Sequence, residues 1–230
     1  MKSSRILVIA SGLIIFAGIA LILTGLPVIR SSQGEGPTSL SAVEVRSYRG
    51  ADLSSVKDFR ENSIKGPQHV NSTGYRLTVT GLTNTTDVYT YDEVLGQYPH
   101  YTKVVTLFCV EGWDVTILWE GIRVQDLIRH AGPDPRANTV VFTAHDGYTT
   151  SFPLEYLMDR DIIMAYRMNN FTLPAERGYP FQLVAEDKWG YKWVKWIVKI
   201  ELTDDPAYRG YWEQRGYSNT GDLDKSYSSR

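Results

Sequence analysis

The chain of 230 residues has a single cysteine, Cys109, and it lacks most of the short motifs that mark a catalytic or nucleotide site. A lone cysteine cannot form a disulfide within the chain, and it excludes both Cys-x-x-Cys metal sites and Cys-x-x-Cys-His haem attachment. The sequence also has no HExxH zinc motif, no P-loop and no GxGxxG dinucleotide motif. Any metal or redox chemistry in this chain therefore depends on a different kind of site.

The sequence also lacks a block or stripe of basic residues. Its 24 lysines and arginines are balanced by 26 aspartates and glutamates, which gives a net charge of −2. Proteins that bind nucleic acids usually carry clustered positive charge, so we expect no nucleic-acid partner. The hydrophobic fraction of 43% is typical of a folded protein.

The longest uncharged run covers residues 6–29. A helix of this length spans about 36 Å, enough for a tilted bilayer crossing. No clear Ala-x-Ala site follows, so an uncleaved anchor is favoured over a cleaved signal peptide. Lys2 and Arg5 precede the run, and the positive-inside rule then predicts an extracytoplasmic domain. The sequence thus predicts a transmembrane anchor over residues 1–30, a linker over residues 31–42 and a globular domain over residues 43–230.

The patterning of the globular part predicts a mixed α+β fold, because strands outnumber helices and do not alternate regularly with them. Thr90 and Glu93 form a capping box, which predicts a short helix ending near Gln97. Residues 124–128 have helical spacing that stops at Gly132. Alternation and turn residues predict strands at 43–46, 75–79, 101–109, 115–119, 139–143, 148–152, 162–168, 181–185 and 196–202.

Cys109 lies between two predicted strands, shortly before the turn residues Glu111 and Gly112. This position places the sulfur at the end of a strand, where a side chain can reach into a site. The alternative is a small buried hydrophobic residue, which is the usual fate of a free cysteine. The local pattern alone leaves both interpretations open.

Five sequence blocks resemble the cofactor-binding core of the sulfite oxidase family of molybdoenzymes, close to its methionine-sulfoxide reductase branch. They occur in the family's order, and the resemblance covers residues 75–219. Each block alone is a weak signal, whereas several in order are specific. The blocks are residues 109–113, 117–121, 176–184, 188–197 and 210–219.

The resemblance implies a molybdopterin-dependent oxidoreductase in which the Cys109 thiolate is the catalytic residue and a ligand of molybdenum. A thiolate is a soft, strongly donating ligand, which suits a metal that exchanges oxygen atoms and electron pairs. A cofactor that carries the chemistry also explains why the chain has no other catalytic motif. The family's fold is of the predicted mixed kind.

The resemblance also implies contacts with the pterin and its phosphate. Lys195 matches a cofactor contact of the family, and Lys188 and Lys192 are either further phosphate ligands or solvated lysines. The candidate cofactor-binding residues are Arg60, Asn62, Cys109, His145, Arg177, Gln182, Trp193, Val194 and Lys195.

Three of these positions carry an alternative or a departure from the family's pattern. Gln182 stands where relatives usually have arginine, which removes one positive charge from the expected phosphate site. Arg177, five residues away, is a candidate to compensate. His145 is either a polar residue near the metal or a histidine that caps a turn. The block 210–219 either packs against the pocket or belongs to a solvated terminal segment, and its match to the family favours the former.

The residues after Cys109 bear on the substrate. True sulfite oxidases place an arginine shortly after the cysteine, whereas Glu111 and Asp114 occupy that stretch here, and two carboxylates repel sulfite. We therefore expect oxygen-atom transfer on a small neutral oxo compound, a sulfoxide or an N-oxide. A sulfite-oxidising enzyme and an anchored binding module without activity are the alternatives. The implied electron partner is a membrane-associated carrier such as a haem protein.

Overall fold

The structure is a computed structural model, and it describes residues 44–228. The predicted anchor and linker lie outside the described residues, as does Val43. Among residues 44–228, no helix is both long enough and apolar enough to span a bilayer.

The described domain is rich in strands, as predicted, with three short α-helices between them. Helix α1 is Tyr91–Gln97, α2 is Val124–Ala131 and α3 is Leu154–Asp159. Single turns of 3-10 helix form at Ala175–Arg177, Gly190–Lys192 and Glu213–Arg215. The strands are β1 Ser47–Tyr48, β2 Ala51–Asp52, β3 Leu77–Gly81, β4 Asp87–Tyr89, β5 His100–Phe108, β6 Asp114–Arg123, β7 Thr139–Ala144, β8 Thr149–Pro153, β9 Ile163–Met168, β10 Phe171–Thr172, β11 Gln182–Val184 and β12 Ile197–Thr203.

Two five-stranded sheets form the framework of residues 44–228. The first has the order β10-β9-β6-β5, with β11 also paired to β9, and all of its pairs are antiparallel. The second has the order β4-β3-β12-β7-β8, in which β12 and β3 are parallel and the other neighbours are antiparallel. This mixed, strand-rich arrangement confirms the predicted α+β class.

Two helix boundaries follow directly from local sequence chemistry. Helix α1 begins at the predicted capping box, in which the Glu93 N–H donates to Thr90 Oγ1 and the Thr90 N–H donates to Glu93 Oε2. Helix α2 ends at Gly132, whose φ of 68° lies in the left-handed region that favours glycine. Both predicted helices are therefore confirmed, and α2 continues three residues beyond the predicted periodic segment.

The strand predicted at residues 43–46 is wrong over its described residues. The Glu44 carboxylate accepts hydrogen bonds from the Val56 N–H at 2.8 Å and from the Ser55 hydroxyl at 3.0 Å, so side-chain contacts hold this segment. The first strand, β1, begins only at Ser47. Helix α3 and strand β4 are not predicted from the sequence, because elements of six and three residues carry too little periodicity.

Strand β6 is the centre of the first sheet and supports the turn that carries Cys109. It approaches β9 so closely that a Cβ on Gly121 would lie 2.4 Å from the Met164 carbonyl oxygen. Trp119, earlier on the same strand, is fully buried and packs against Trp193 with ring centroids 5.9 Å apart. These two contacts fix the β5–β6 hairpin to the core.

Candidate active site

A cavity of about 360 Å³ lies at the end of the β5–β6 hairpin. Its volume is in the range of small-ligand and cofactor sites. The lining comes from residues 59–64, the turn after β5, the turn after β7, the segments around 176–182 and 190–196, and two residues of the C-terminal tail. Eight predicted cofactor-binding residues line it: Arg60, Asn62, Cys109, Arg177, Gln182, Trp193, Val194 and Lys195.

Cys109 directly follows the last residue of β5 and is 8% exposed. Its N–H donates to the Trp113 carbonyl at 2.9 Å, and the Gly112 N–H donates to the Cys109 carbonyl at 3.1 Å. Gly112 has a φ of 83°, which permits this tight return of the chain. The turn predicted at Glu111 and Gly112 is confirmed, and it holds the sulfur at the cavity wall.

The surroundings of the Cys109 sulfur have opposing effects on its charge. Burial raises the pKa of the Cys109 thiol, and the nearby Glu111 carboxylate raises it further. Hydrogen bonds from the backbone N–H groups of Glu111 and Val110, and from the Asn62 amide, favour the thiolate. The Asn62 Nδ2 lies 3.6 Å from the sulfur. The net pKa is raised, so the free side chain is a thiol, and a bound metal ion would replace its proton.

Glu111 places a carboxylate beside this sulfur. The Trp113 indole N–H donates to Glu111 Oε2 at 3.1 Å and lowers the pKa of the carboxyl. The Asn62 amide and the charge of Arg60 lower it further. Glu111 is therefore ionised at neutral pH, and the region next to Cys109 carries negative charge.

Two cations lie elsewhere in the cavity lining. Lys195 Nζ donates to Glu61 Oε1 at 2.7 Å. The Arg177 guanidinium lies 4.5 Å from the centre of the Phe59 ring and donates to the carbonyls of Phe59, at 3.1 Å, and Arg60, at 3.4 Å. Burial lowers the pKa of the Lys195 ammonium, whereas Glu61 raises it.

Residues 59–64 form a strap across the cavity, with neither helix nor strand. The Phe59 ring packs edge-on against Trp113 and Trp119, with centroids 6.1 and 6.3 Å apart. The strap brings Asn62 to Cys109 and Glu61 to Lys195. The sequence identified Arg60 and Asn62 but not Phe59 and Glu61, since their partners lie far along the chain.

Gln182, Trp193 and Val194 form a buried wall of the cavity. Gln182 is the first residue of β11, and the Leu183 N–H donates to the Val194 carbonyl at 2.9 Å. The Trp193 indole N–H donates to the Lys188 carbonyl at 3.0 Å. These bonds fix the segment that presents Val194 and Lys195.

His145 is exposed and does not belong to the cavity lining. Its Nδ1 lies 3.3 Å from Gln68 Oε1, so the structure gives no support to a role beside the metal. The next residue, Asp146, is 3% exposed, lines the cavity and accepts a hydrogen bond from the Tyr148 N–H at 2.9 Å. Both residues lie in the turn after β7, and the bond to the Tyr148 N–H holds the Asp146 side chain in its buried position.

The sequence suggested that Lys188 and Lys192 are phosphate ligands or solvated lysines, and the structure shows that both interpretations are wrong. Neither is solvated and neither lines the cavity, because each is buried in an ion pair with the tail. Lys188 pairs with Asp222, and Lys192 pairs with Glu213 at 2.7 Å. Of these three lysines, all of which the structure describes, Lys195 is the one that lines the cavity.

The C-terminal tail supplies an aromatic part of the lining through Trp212 and Tyr217. Their rings pack against each other with centroids 5.1 Å apart. Tyr217 also packs against Tyr191, another lining residue, at 5.0 Å. The structure therefore places the tail against the site, as the sequence predicted for block 210–219.

Residues 64–212 match the family model described as the oxidoreductase molybdopterin binding domain. The chain belongs to this family. It is 30% identical over 157 residues to the uncharacterized oxidoreductase YuiH of Bacillus subtilis, covering 68% of this chain and 78% of YuiH. It is 33% identical over 152 residues to the putative protein-methionine-sulfoxide reductase subunit YedZ1 of Azospira oryzae, covering 66% of this chain and 57% of that protein.

A solved structure shows the same fold. The sulfane dehydrogenase SoxCD from Paracoccus pantotrophus superposes with a TM-score of 0.62 at 20% identity, covering 84% of this chain and 58% of that chain. The predicted family, the enzyme class and the cofactor, molybdopterin with molybdenum, are confirmed. The chain spans little more than half the length of YedZ1 and SoxCD, so their complete activities are not transferred to it.

The side chains of the cavity fit this cofactor. A sulfur donor lines it at Cys109, and cationic side chains line it at Lys195 and Arg177. A soft thiolate suits the metal, and ammonium and guanidinium groups suit a phosphate. Gln182 is neutral where relatives usually have arginine. Arg177 lines the same cavity and can supply the positive charge that Gln182 lacks.

Proposed function

We propose that this oxidoreductase reduces a small neutral oxo compound, a sulfoxide or an N-oxide, by removing its oxygen atom. The observation that supports this most strongly is the ionised Glu111 beside Cys109. A carboxylate at this position repels anions such as sulfite and leaves neutral substrates unaffected. Arg60 lines the same cavity, and its positive charge contributes to the lowered pKa of the Glu111 carboxyl.

The reaction consumes two electrons and two protons, breaks the bond between oxygen and sulfur or nitrogen, and releases the reduced compound and water. The bound cofactor supplies the two-electron chemistry. The chain's own residues hold the cofactor, position the substrate and exclude water.

Cys109 has the central role in this proposal, as the metal ligand. The backbone N–H groups of Val110 and Glu111 stabilise its sulfur as a thiolate, and the Asn62 amide orients it. Lys195 and Arg177 bind the anionic end of the cofactor. Gln182, Trp193 and Val194, which form the buried wall of the cavity, would contact the pterin. These assignments follow from the resemblance and agree with the cavity lining.

The name of the relative YedZ1, a putative protein-methionine-sulfoxide reductase subunit, supports a sulfoxide as substrate. The test is turnover by the molybdenum-loaded protein. Methyl phenyl sulfoxide and trimethylamine N-oxide are offered with reduced viologen as donor, and sulfite is offered with ferricyanide as acceptor. We expect reduction of one of the first two and negligible sulfite oxidation. Sulfite turnover at a comparable rate would contradict the proposal.

We also propose that residues 6–29 anchor the domain on the extracytoplasmic side of a membrane and that a membrane-associated haem protein delivers the electrons. The uncharged run and the preceding Lys2 and Arg5 support the first part. The absence of a haem or iron–sulfur motif from the sequence leaves electron delivery to another protein, and the family resemblance suggests that this partner is a membrane haem protein. Protease added to intact cells should remove the domain, and complete protection would reverse the orientation.

A further inference from the structure

Lys195 is the one lysine among the described residues that line the cavity, and its ammonium already has an anionic partner. Its Nζ donates to Glu61 Oε1 at 2.7 Å, with the two side chains only 15% and 26% exposed. The Glu176 backbone carbonyl lies further away, at 3.4 Å. A second anion at this ammonium must therefore lie beside the Glu61 carboxylate or displace it.

The other cations of the lining are Arg177, which donates to two carbonyls of the strap, and Arg60, which is exposed. Three cationic side chains line the cavity, against four carboxylates: Glu61, Glu111, Asp146 and Glu176. The described lining therefore has no surplus positive charge, although a phosphate group brings a charge of about −2.

The contacts of Glu61 can be exchanged without disrupting regular structure. The strap, residues 59–64, contains no helix or strand. Its polar contacts with the cavity include Glu61 with Lys195, Asn62 with Cys109, and the strap carbonyls with Arg177, while the Phe59 ring packs against Trp113 and Trp119. All three of these polar partners, Cys109, Lys195 and Arg177, are residues that we assign to the cofactor.

We propose that Glu61 is an internal competitor for the anionic end of the cofactor, a phosphate monoester, at Lys195. Binding of the phosphate exchanges the partner of Lys195, releases Glu61 and thereby loosens the strap across the cavity. A phosphate offers three acceptor oxygens and more charge than one carboxylate, so it prevails once it is inside. Glu61 then selects for ligands whose anionic group binds Lys195 more tightly than the Glu61 carboxylate does.

The proposal rests on the cofactor and on the role assigned to Lys195, not on the oxo substrate. It is tested with inorganic phosphate as the probe, on the full chain produced in a host that does not make the pterin. Glu61→Gln is compared with Glu176→Gln at low ionic strength. Both substitutions remove one carboxylate from the lining, but only that of Glu61 contacts Lys195.

We expect Glu61→Gln to lower the phosphate Kd about three- to tenfold, and Glu176→Gln to lower it by less than about twofold. In a Lys195→Met background, Glu61→Gln should leave the phosphate Kd unchanged, because no competition remains. In a host with limiting cofactor, the Glu61→Gln protein should also contain more pterin and molybdenum per chain than the wild type. Thermal unfolding of each variant confirms that it is folded.

Three results would overturn the proposal. The first is an unchanged phosphate Kd together with unchanged pterin content in Glu61→Gln. The second is an equal gain in Glu176→Gln, which would indicate general electrostatics. The third is a gain that persists when Lys195 is methionine. None of these readouts depends on turnover, so failure to reduce sulfoxides leaves them intact.

Discussion

Lys192 Nζ lies 2.7 Å from Glu213 Oε1, and both side chains are fully buried. The ammonium also donates to the carbonyls of Ser151, at 2.7 Å, and Asn219, at 2.9 Å, so each of its three hydrogens has an acceptor. The same Glu213 oxygen accepts a hydrogen bond from the Thr150 hydroxyl at 2.6 Å. The ion pair therefore joins the Gly190–Lys192 turn to the C-terminal tail, and its hydrogen bonds to Ser151 and Thr150 tie both to strand β8.

This ion pair also positions part of the cavity wall. Tyr191 and Trp193, on either side of Lys192, line the cavity, and so does Trp212, which precedes Glu213. A shift of either charged residue moves its aromatic neighbours. The pair is thus a positioning element for the site, although it lies outside the lining.

Lys192→Met should destabilise the domain by about 3–5 kcal/mol, because it leaves the buried Glu213 charge without its partner. The double variant Lys192→Met with Glu213→Leu should recover much of this loss, since no unpaired charge remains. Denaturant unfolding of the wild type and the two variants measures both effects. A single variant as stable as the wild type would show that the pair contributes little.

Cys109→Ala should abolish oxygen transfer and leave a folded protein. As a buried side chain of modest size, Cys109 contributes about 1–2 kcal/mol to stability. As the metal ligand it is irreplaceable, because alanine offers no donor. We expect loss of activity with pterin still detectable, since Lys195 and other segments hold the cofactor elsewhere.

Cys109→Ser provides the matched control, because it retains a similar shape but replaces the soft sulfur with a hard oxygen. Activity, molybdenum content and pterin content are measured for both variants. Near-normal oxygen transfer by Cys109→Ala would end the assignment of Cys109 as the metal ligand.

The sequence predicted the parts of the structure that depend on local chemistry. The capping box of Thr90 and Glu93 starts α1, Gly132 ends α2, and the turn after Cys109 lies where Glu111 and Gly112 indicate. The predicted cofactor segments also meet in one cavity, because the resemblance carries information about tertiary structure that periodicity does not.

Long-range pairs account for most of what the sequence could not predict. Lys192 and Glu213 are 21 residues apart and Glu61 and Lys195 are 134 apart, so neither pairing has a local signal. His145 is exposed and Asp146 is buried in the turn after β7, where the alternation of the strand has ended and no longer indicates which side chain faces the cavity.

Asp222 should make the stability of the domain sensitive to acid. Burial raises the pKa of its carboxyl, but hydrogen bonds from Lys188 and Lys225 outweigh this and lower the pKa well below its usual value. A carboxyl whose pKa is lower in the folded state stabilises the fold above its unfolded pKa, about 3.9, and loses this contribution as the pH falls. The free energy of unfolding should therefore fall below about pH 4 in the wild type.

Asp222→Asn should weaken this pH dependence and lower stability at neutral pH. Asp224→Asn, at an exposed position two residues away, is the control. Urea unfolding at several acidic pH values measures the slope. A slope in Asp222→Asn equal to that of the wild type would show that the Lys188–Asp222 pair does not couple to folding.

Glu111→Gln should relax the discrimination against sulfite. Glu111 is ionised at neutral pH, and hydrogen bonds from the Trp113 indole N–H and the Asn62 amide lower its pKa further; glutamine keeps an oxygen for the indole while removing the charge. We expect the ratio of kcat/KM for sulfite to that for a neutral sulfoxide to rise roughly threefold at low ionic strength and to fall back as salt screens the charge.

Asp114→Asn is the control. It removes an equal charge at the exposed start of β6, but Asp114 does not line the cavity, so the effect on this ratio should be smaller. Equal effects of the two substitutions would attribute the discrimination to the overall charge of the surface, and no effect of either would remove Glu111 from the determinants of substrate choice.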